Sequence, residues 1–414
     1  MAVKIVRQEN RIALLGAPVS AAALAPGGEG APAALRAAGL IPKLLSIGYD
    51  VVDSGDDPIR VWQSDDESPR ARNLRNVLAA LESLRPRVEL AIKSGALPLI
   101  LGGDCSVALA VVAGLRRYFR NVSLVYADAD ADLQTPATTP SGCIDGMVVS
   151  HLVGRGASEM VRFWSEPPLV REPDLALFGV SRLDPAEEQT LQTSALRRYL
   201  ADDIRRKSPA RAASDAIERI HGNSHDFVLH FDVDAIDGFT ATNLPASGGL
   251  SADELREAFA VFVAKPHLAV VEVAGYNPAR DADGSGARFI VDFLADVLSI
   301  RKETVKAAAA AAASQTPARA SADAATHSAG SANIPAGDAN IAAAEAADSS
   351  AASALAPSLL PNQPETDAAD EAADIGAAAP GEPWSSDLLD QPAPREDADS
   401  LENPSSADSE DPQP

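Results

Sequence analysis

Acidic residues directly follow two apolar segments that have the length and composition of buried β-strands. Residues 128–132 read Asp-Ala-Asp-Ala-Asp after the segment 122–127, and residues 232–237 read Asp-Val-Asp-Ala-Ile-Asp after the segment 227–231. Either run alone is ordinary turn and capping chemistry. Together they bring several carboxylates to one edge of a parallel sheet, where they repel one another unless a cation lies between them. Oxygen ligands suit Mg²⁺, Mn²⁺ or Ca²⁺, so the pattern predicts a divalent metal site.

The elements that must position these acids alternate along the chain. Short apolar segments separated by helical patterns predict an α/β fold, in which a mainly parallel sheet lies between two layers of helices. The predicted strands are residues 11–17, 49–53, 97–101, 122–127, 174–180, 227–231 and 268–273. The predicted helices are residues 33–47 with a break at 39–42, 73–94, 107–119, 252–264 and 287–300. One domain is expected over residues 1–304.

The last quarter of the chain has a different composition. Residues 307–414 carry 19 acidic and 2 basic residues, which is most of the formal net charge of −24, and they are rich in Ala, Ser and Pro. Such a segment buries too little apolar surface to offset its conformational entropy. We expect a helical extension over residues 305–316 and a disordered acidic tail over 317–414. The net acidity disfavours binding to nucleic acid.

The cysteine count and the N-terminus bear on location. Two cysteines cannot form a disulfide framework, which favours a reducing compartment. The first residues do not resemble a signal peptide, and no segment approaches the roughly 20 apolar residues of a membrane-spanning helix. The sequence therefore predicts a cytoplasmic protein with no membrane partner.

Four motifs resemble, in order, those of the ureohydrolases, the family of arginase, agmatinase and formimidoylglutamase. Residues 102–106, Gly-Gly-Asp-Cys-Ser, resemble the family's Gly-Gly-Asp-His-Ser. The run 128–132 resembles Asp-Ala-His-x-Asp, and residues 141–147 resemble the loop Ser-Gly-Asn-x-His-Gly. The run 232–237 resembles Asp-Val-Asp-x-x-Asp. The likeness extends from about Arg11 to about Ile300 and implies an arginase-like fold.

The resemblance also implies an activity and a set of site residues. The family's site holds two Mn²⁺ ions that activate a hydroxide, which attacks a guanidinium or formimino carbon. The implied metal ligands are Cys105, Asp128, Asp130, Asp132, Asp232 and Asp234. The implied catalytic groups are Asp132, Asp145 and Glu272. The implied substrate-binding residues are Gln134, Thr139, Ser141, Asp184 and Glu187. A small guanidino or formimino substrate and a homo-oligomeric state are expected.

Several residues depart from the family's motifs. Cys105, Asp130 and Asp145 stand where those motifs carry histidine, and Cys143 stands in place of an asparagine. The family's catalytic Glu position, three residues before a Pro, holds a glycine, and Glu272 lies three residues further back. Exchange of imidazole for carboxylate makes the site more anionic and the bound water less acidic.

These departures leave three interpretations open. The first is an active metal-dependent hydrolase with a remodelled, carboxylate-rich site and weak or altered activity. The second is an inactive pseudoenzyme that serves as a binding or regulatory protein. The third is a thiol site, in which Cys105 and Cys143 bind a softer metal such as Zn²⁺ or respond to oxidation.

Overall fold

Eight parallel strands form one sheet in the computed structural model, which describes residues 5–314. The strands are β1 (Arg11–Ala17), β2 (Asp50–Asp56), β3 (Leu97–Gly102), β4 (Val122–Ala127), β5 (Leu175–Val180), β6 (Arg197–Leu200), β7 (Asp226–Asp232) and β8 (Leu268–Ala274). Their order across the sheet is β2-β1-β3-β8-β7-β4-β5-β6. The chain therefore brings β3, β8, β7 and β4, the strands that precede the polar motifs, side by side in its centre.

Helices cover both faces of this sheet. They are α1 (Ala31–Ala37), α2 (Leu40–Ser46), α3 (Leu74–Lys93), α4 (Val107–Arg116), α5 (Val148–Leu152), α6 (Ser158–Val161), α7 (Pro185–Thr193), α8 (Ala201–Lys207), α9 (Pro209–Arg219), α10 (Ala252–Val263) and α11 (Ser285–Ser314). Residues of α1, α2 and α8–α11 pack on one face of the sheet. Residues of α3–α7 pack on the other. This three-layer arrangement confirms the predicted fold class.

The apolar segments end up where their patterns predict, because strands in the middle of a covered sheet are buried on both faces. Strands β3, β4 and β5 are buried along their whole length. The predicted break in the first helix is also present. Gly39 has φ 92°, a left-handed conformation that glycine adopts at little cost, and it separates α1 from α2.

The structure differs from the predicted elements in four respects. Strand β2 continues to Asp56, three residues beyond its predicted end, because Asp56 pairs with Gly16 after a shift of register. Helix α4 ends at Arg116 rather than at residue 119. The edge strand β6 was not predicted, since it has only four residues, two of which are arginines. The short helices α5–α9 were also not predicted.

The predicted tail, residues 317–414, lies outside the described residues, and α11 is described as far as Ser314. Within residues 5–314, none of the helices is both long enough and apolar enough to cross a membrane. The cytoplasmic location and the homo-oligomeric state stay predictions.

Candidate metal centre

A cavity of about 560 Å³ lies beyond the carboxyl ends of the central strands. It is lined by nearly all the side chains that were predicted to form the site: Cys105, Asp128, Asp130, Asp132, Gln134, Thr139, Ser141, Asp145, Asp184, Glu187, Asp232 and Asp234. Glu272 is not among the lining residues. The strand-end argument therefore holds for the acids that follow β4 and β7.

The register of β4 and β7 brings the two acidic runs together. Ala127 pairs with Phe231, so that Asp128 and Asp232 follow neighbouring strand ends. Asp234 lies in a short 3₁₀ turn after β7, and its backbone N–H donates to Asp232 Oδ1 at 2.8 Å. One carboxylate oxygen from each of Asp128, Asp232 and Asp234 lies within 4.8 Å of the others. Three converging carboxylates are a donor set that fits a divalent cation such as Mn²⁺ or Mg²⁺.

Crowding changes the protonation of these acids. Burial raises the pKa of Asp128 and of Asp232 well above the ordinary value, and repulsion from Asp234 adds to the effect. The pKa of Asp132 is also raised well above its ordinary value, by burial and then by Asp145. Burial raises the pKa of Asp145 to about 6. A cation at the centre would relieve both the desolvation and the repulsion.

One guanidinium enters this acidic cluster. Arg182 donates to both carboxylate oxygens of Asp130, at 2.8 and 2.6 Å, and to Asp234 Oδ2 at 2.6 Å. It also donates to the carbonyl oxygen of Leu244 at 2.8 Å. Among the described residues that line the cavity, Arg182 is the sole Lys or Arg. The carboxylate of Asp130 and one oxygen of Asp234 are therefore ion-paired with Arg182.

The two cysteines make different contacts. The Cys105 thiol donates to Asp232 Oδ2 at 2.9 Å and lies 3.9 Å from Asp128 Oδ2. The Cys143 thiol donates to the carbonyl oxygen of Ala22 at 2.8 Å. Burial raises the pKa of both thiols well above the ordinary value, and nearby carboxylates add to this. Cys105 thus belongs to the carboxylate cluster, whereas Cys143 is bonded to the backbone beside it.

The predicted substrate-binding residues also line the cavity. Asp184 caps α7 through the backbone N–H groups of Ala186 and Glu187, and its other oxygen accepts a hydrogen bond from Gln134. Glu187 accepts from the backbone N–H of Leu133 at 3.1 Å, and burial raises its pKa to about 7. The hydroxyls of Thr139 and Ser141 accept hydrogen bonds from backbone N–H groups of their own loop.

Comparison with known proteins decides the family. A family model described as Arginase family matches residues 10–299. The chain belongs to the arginase family. The arginase of Brevibacillus brevis is 28% identical over 290 residues, which cover 70% of this chain and 97% of that protein. The hepatic arginase of Aquarana catesbeiana is 31% identical over 281 residues, 66% of this chain and 87% of that protein. The crystal structure of arginase from Bacillus cereus superimposes with a TM-score of 0.64 at 27% identity, covering 70% of this chain and 98% of that one.

Beneath the carboxylate cluster of this arginase-family cavity lies a layer of three buried polar side chains. The strand register places Tyr126 beside His230, and His230 beside Glu272. The imidazole of His230 stacks on the Tyr126 ring with centroids 4.0 Å apart, and its Nδ1 lies 3.0 Å from Glu272 Oε2. The Tyr126 hydroxyl donates to Asp132. Glu272, predicted as a catalytic group, is thus fully buried against His230 instead of facing the cavity.

Tyr126 and His230 were not predicted from the sequence, although the spacing contains a signal for them. Each lies two residues before an acid of the cluster, Asp128 or Asp232. Side chains two apart in a strand point to the same face, so both residues had to lie one layer below the carboxylates. His230 occupies none of the positions at which the family's motifs carry histidine.

Proposed function

We propose that this chain is a divalent-metal-dependent hydrolase that acts on a non-peptide C–N bond of a small guanidino or formimino compound, with a remodelled site and weak activity. The observation that carries the proposal is the convergence of Asp128, Asp232 and Asp234 within 4.8 Å at the floor of an open cavity. Membership of the arginase family supports the type of reaction.

The metal-binding groups of this proposal are Asp128, Asp232 and Asp234, with Asp132 beside them. Mn²⁺ is the ion that the family resemblance implies, and an oxygen-only donor set suits it. When bound, such an ion lowers the pKa of a water molecule and makes hydroxide available near neutral pH. The chain's own contribution is to hold the three converging acids close together, at a cost in repulsion that the ion removes.

The polar side chains that line the cavity and its negative electrostatic potential select the substrate. Eight aspartates and one glutamate line the cavity, and their combined potential attracts a cationic guanidinium. Gln134, Asp184 and Glu187 offer amide and carboxylate groups to the polar end of a substrate. A second carboxyl, Asp145, has a pKa raised to about 6 by its burial. Asp145 therefore changes protonation near neutral pH, which suits a group that accepts and returns a proton.

Arg182 supports the weak-activity part of the proposal and also favours the alternative, an inactive binding protein. Its guanidinium already donates hydrogen bonds to Asp130 Oδ2 and to Asp234 Oδ2, both at 2.6 Å. A guanidino substrate carries the same chemical group and would compete for the same oxygens. A more anionic site also holds its bound water at a higher pKa, which lowers the supply of hydroxide.

The test measures urea and amide release by the full-length chain with arginine, agmatine, a guanidino acid and a formimino amino acid. We expect slow turnover that requires Mn²⁺ and increases at alkaline pH. Asp128→Asn should abolish it, whereas Cys143→Ser, a change in the same cavity outside the carboxylate cluster, should leave it unchanged. The combined Cys105→His, Asp130→His and Asp145→His variant, which restores the family's motif residues, should increase it roughly tenfold or more.

The outcomes separate the alternatives. Mn²⁺ binding without turnover by either the wild type or the triple variant would support the binding-protein alternative. Rapid urea release by the wild type at neutral pH would contradict the weak activity proposed for the remodelled site.

A further inference from the structure

A buried histidine with one free nitrogen lies against the metal-binding side of the cavity. His230 has no exposed surface, and its Nδ1 is engaged with Glu272 Oε2 at 3.0 Å. Its Nε2 is buried and has no hydrogen-bond partner among the described residues. A buried imidazole nitrogen without a partner costs free energy. That cost is explained if Nε2 has a ligand.

The groups next to this histidine are a thiol and a carboxylate. One ring nitrogen of His230, Cys105 Sγ and one oxygen of Asp128 all lie within 4.8 Å of one another, and all three residues are buried. Asp232 Oδ2, 2.9 Å from the same sulfur, offers a fourth donor. Ligands at about 2.0–2.3 Å from a tetrahedral Zn²⁺ lie roughly 3.5 Å apart. Metal binding would therefore draw the Asp128 oxygen towards the sulfur, from 3.9 Å, and move Asp232 Oδ2 away from it, from 2.9 Å.

We propose that Cys105, Asp128 and His230 form a binding site for a single transition-metal ion of the Zn²⁺ type. A sulfur, a nitrogen and an oxygen donor form a softer set than the three carboxylates of Asp128, Asp232 and Asp234. Binding converts the Cys105 thiol to a thiolate, and the released proton leaves to solvent without any change of oxidation state. The softer and the harder donor sets share Asp128.

Glu272 is the positioning residue for this site. With Nδ1–H donated to Glu272, the lone pair of His230 remains on Nε2, the nitrogen left free for the metal. The neighbouring Tyr126 ring, parallel to the imidazole within 9°, fixes the ring plane. A carboxylate behind a ligating histidine is the usual arrangement in zinc sites. This gives Glu272 a function that does not require it to reach the cavity.

The experiment uses the full-length chain, stripped of metal with a chelator and titrated with Co²⁺ and then with Zn²⁺. Co²⁺ bound to a thiolate gives a charge-transfer absorption band, which identifies sulfur ligation. This matters because Asp174, His221 and His225 form a second, partly exposed group that could hold an ion without any sulfur. We expect the band to reach its maximum at one Co²⁺ per chain and to be lost when Zn²⁺ is added.

Matched variants identify the ligands. Cys143→Ser changes the other buried cysteine of the cavity and should retain the band. Cys105→Ser, a change of one atom, should abolish it. His230→Gln and Glu272→Gln should each weaken Zn²⁺ binding in competition with a chromophoric chelator, by roughly 10- to 100-fold for Glu272→Gln. Circular dichroism of each variant establishes that it is folded. If His230→Gln does not fold, Cys105→Ser and Glu272→Gln still decide the question.

Absence of the band in the wild type, or its persistence in Cys105→Ser, would overturn this inference. So would unchanged Zn²⁺ affinity in both folded His230→Gln and Glu272→Gln. The inference goes beyond the proposed function and requires no catalytic step. Loss of urea release would leave the thiolate site standing, and loss of the band would leave the oxygen-ligated metal and the hydrolysis standing.

Discussion

Acidic side chains have cationic partners at one end of the sheet and largely lack them at the other. At the amino ends of the strands, Asp226 pairs with Arg7, and Asp174 pairs with Arg171 at 2.6 Å and with His221 at 3.0 Å. At the carboxyl ends, nine acids line the cavity with Arg182 as the one guanidinium among these described lining residues. The pairs at the amino ends satisfy their own charges. The excess of acids at the carboxyl ends destabilises the metal-free folded protein. Destabilisation of this kind is typical of ligand sites.

The largest effect is expected from removal of the Asp128 carboxylate, which belongs to both candidate metal-binding groups of the cavity. Asp128→Asn should lower the affinity for divalent metal roughly 100-fold or more. It should also stabilise the metal-free protein by about 1–2 kcal/mol, because a crowded charge is lost. Metal titration and urea unfolding in chelator measure the two effects. The exposed Asp237→Asn, from the other acidic run, serves as the control and should change neither.

Arg182 is the exception at the carboxyl end, and its removal should make that end more acidic still. Arg182→Gln leaves Asp130 and the buried Asp234 unpaired, so the metal-free protein should lose about 2–3 kcal/mol. Divalent metal should bind more tightly and recover that loss. Arg219→Gln breaks an exposed pair with Asp215 and should cost less than about 1 kcal/mol. Weaker metal binding by Arg182→Gln would mean that Arg182 supports the site instead of competing for it.

The pH dependence of stability should show the same excess of acid. Burial raises the pKa of Asp104 to about 8 and that of Glu187 to about 7. A carboxyl with a raised pKa costs nothing below its unfolded pKa and destabilises progressively as the pH rises to its folded pKa. Burial lowers the pKa of His151 to about 4, so its own cost appears only below about pH 6.5.

The free energy of unfolding in chelator should therefore fall by roughly 2–3 kcal/mol between pH 6.5 and pH 8. Saturating metal should flatten or reverse this slope, since metal binds the ionised carboxylates. Urea unfolding at a series of pH values measures it. A flat profile in the metal-free protein would indicate that the acids are better solvated than their burial implies.

The sequence predicted the parts of this molecule that depend on local pattern. Strands that are buried on both faces can be recognised in the sequence as continuous apolar segments, because neither face accommodates polar residues. The acids that follow β4 and β7 were predicted to converge, since parallel strand ends share one edge. The weak edge strand β6 lacks that apolar pattern, because only one of its four residues is buried.

The parts that escaped prediction depend on which strands are neighbours. His230 meets Glu272 only because β7 lies beside β8, although 42 residues separate them in the chain. Arg182 meets Asp130 and Asp234 from a loop after a third strand, β5. Neither contact follows from spacing in the sequence. The same limitation led to a catalytic role being predicted for Glu272, whose side chain lies on the strand face one layer below the cavity.

The smallest expected effect comes from the opposite end of the sheet. Asp174 is buried, but its partners Arg171 and His221 are more than half exposed, so each ion pair contributes little. Asp174→Asn should destabilise the protein by about 1 kcal/mol, and should leave the Mn²⁺ affinity of the cavity unchanged. This change in the free energy of unfolding has the opposite sign to the change expected for Asp128→Asn in the same experiment. If both substitutions stabilised the metal-free protein, the contrast between the two ends would be wrong, and general acidity would explain the cavity without a ligand. If both destabilised it, the carboxylates of the cavity would be structural groups that satisfy one another through shared protons.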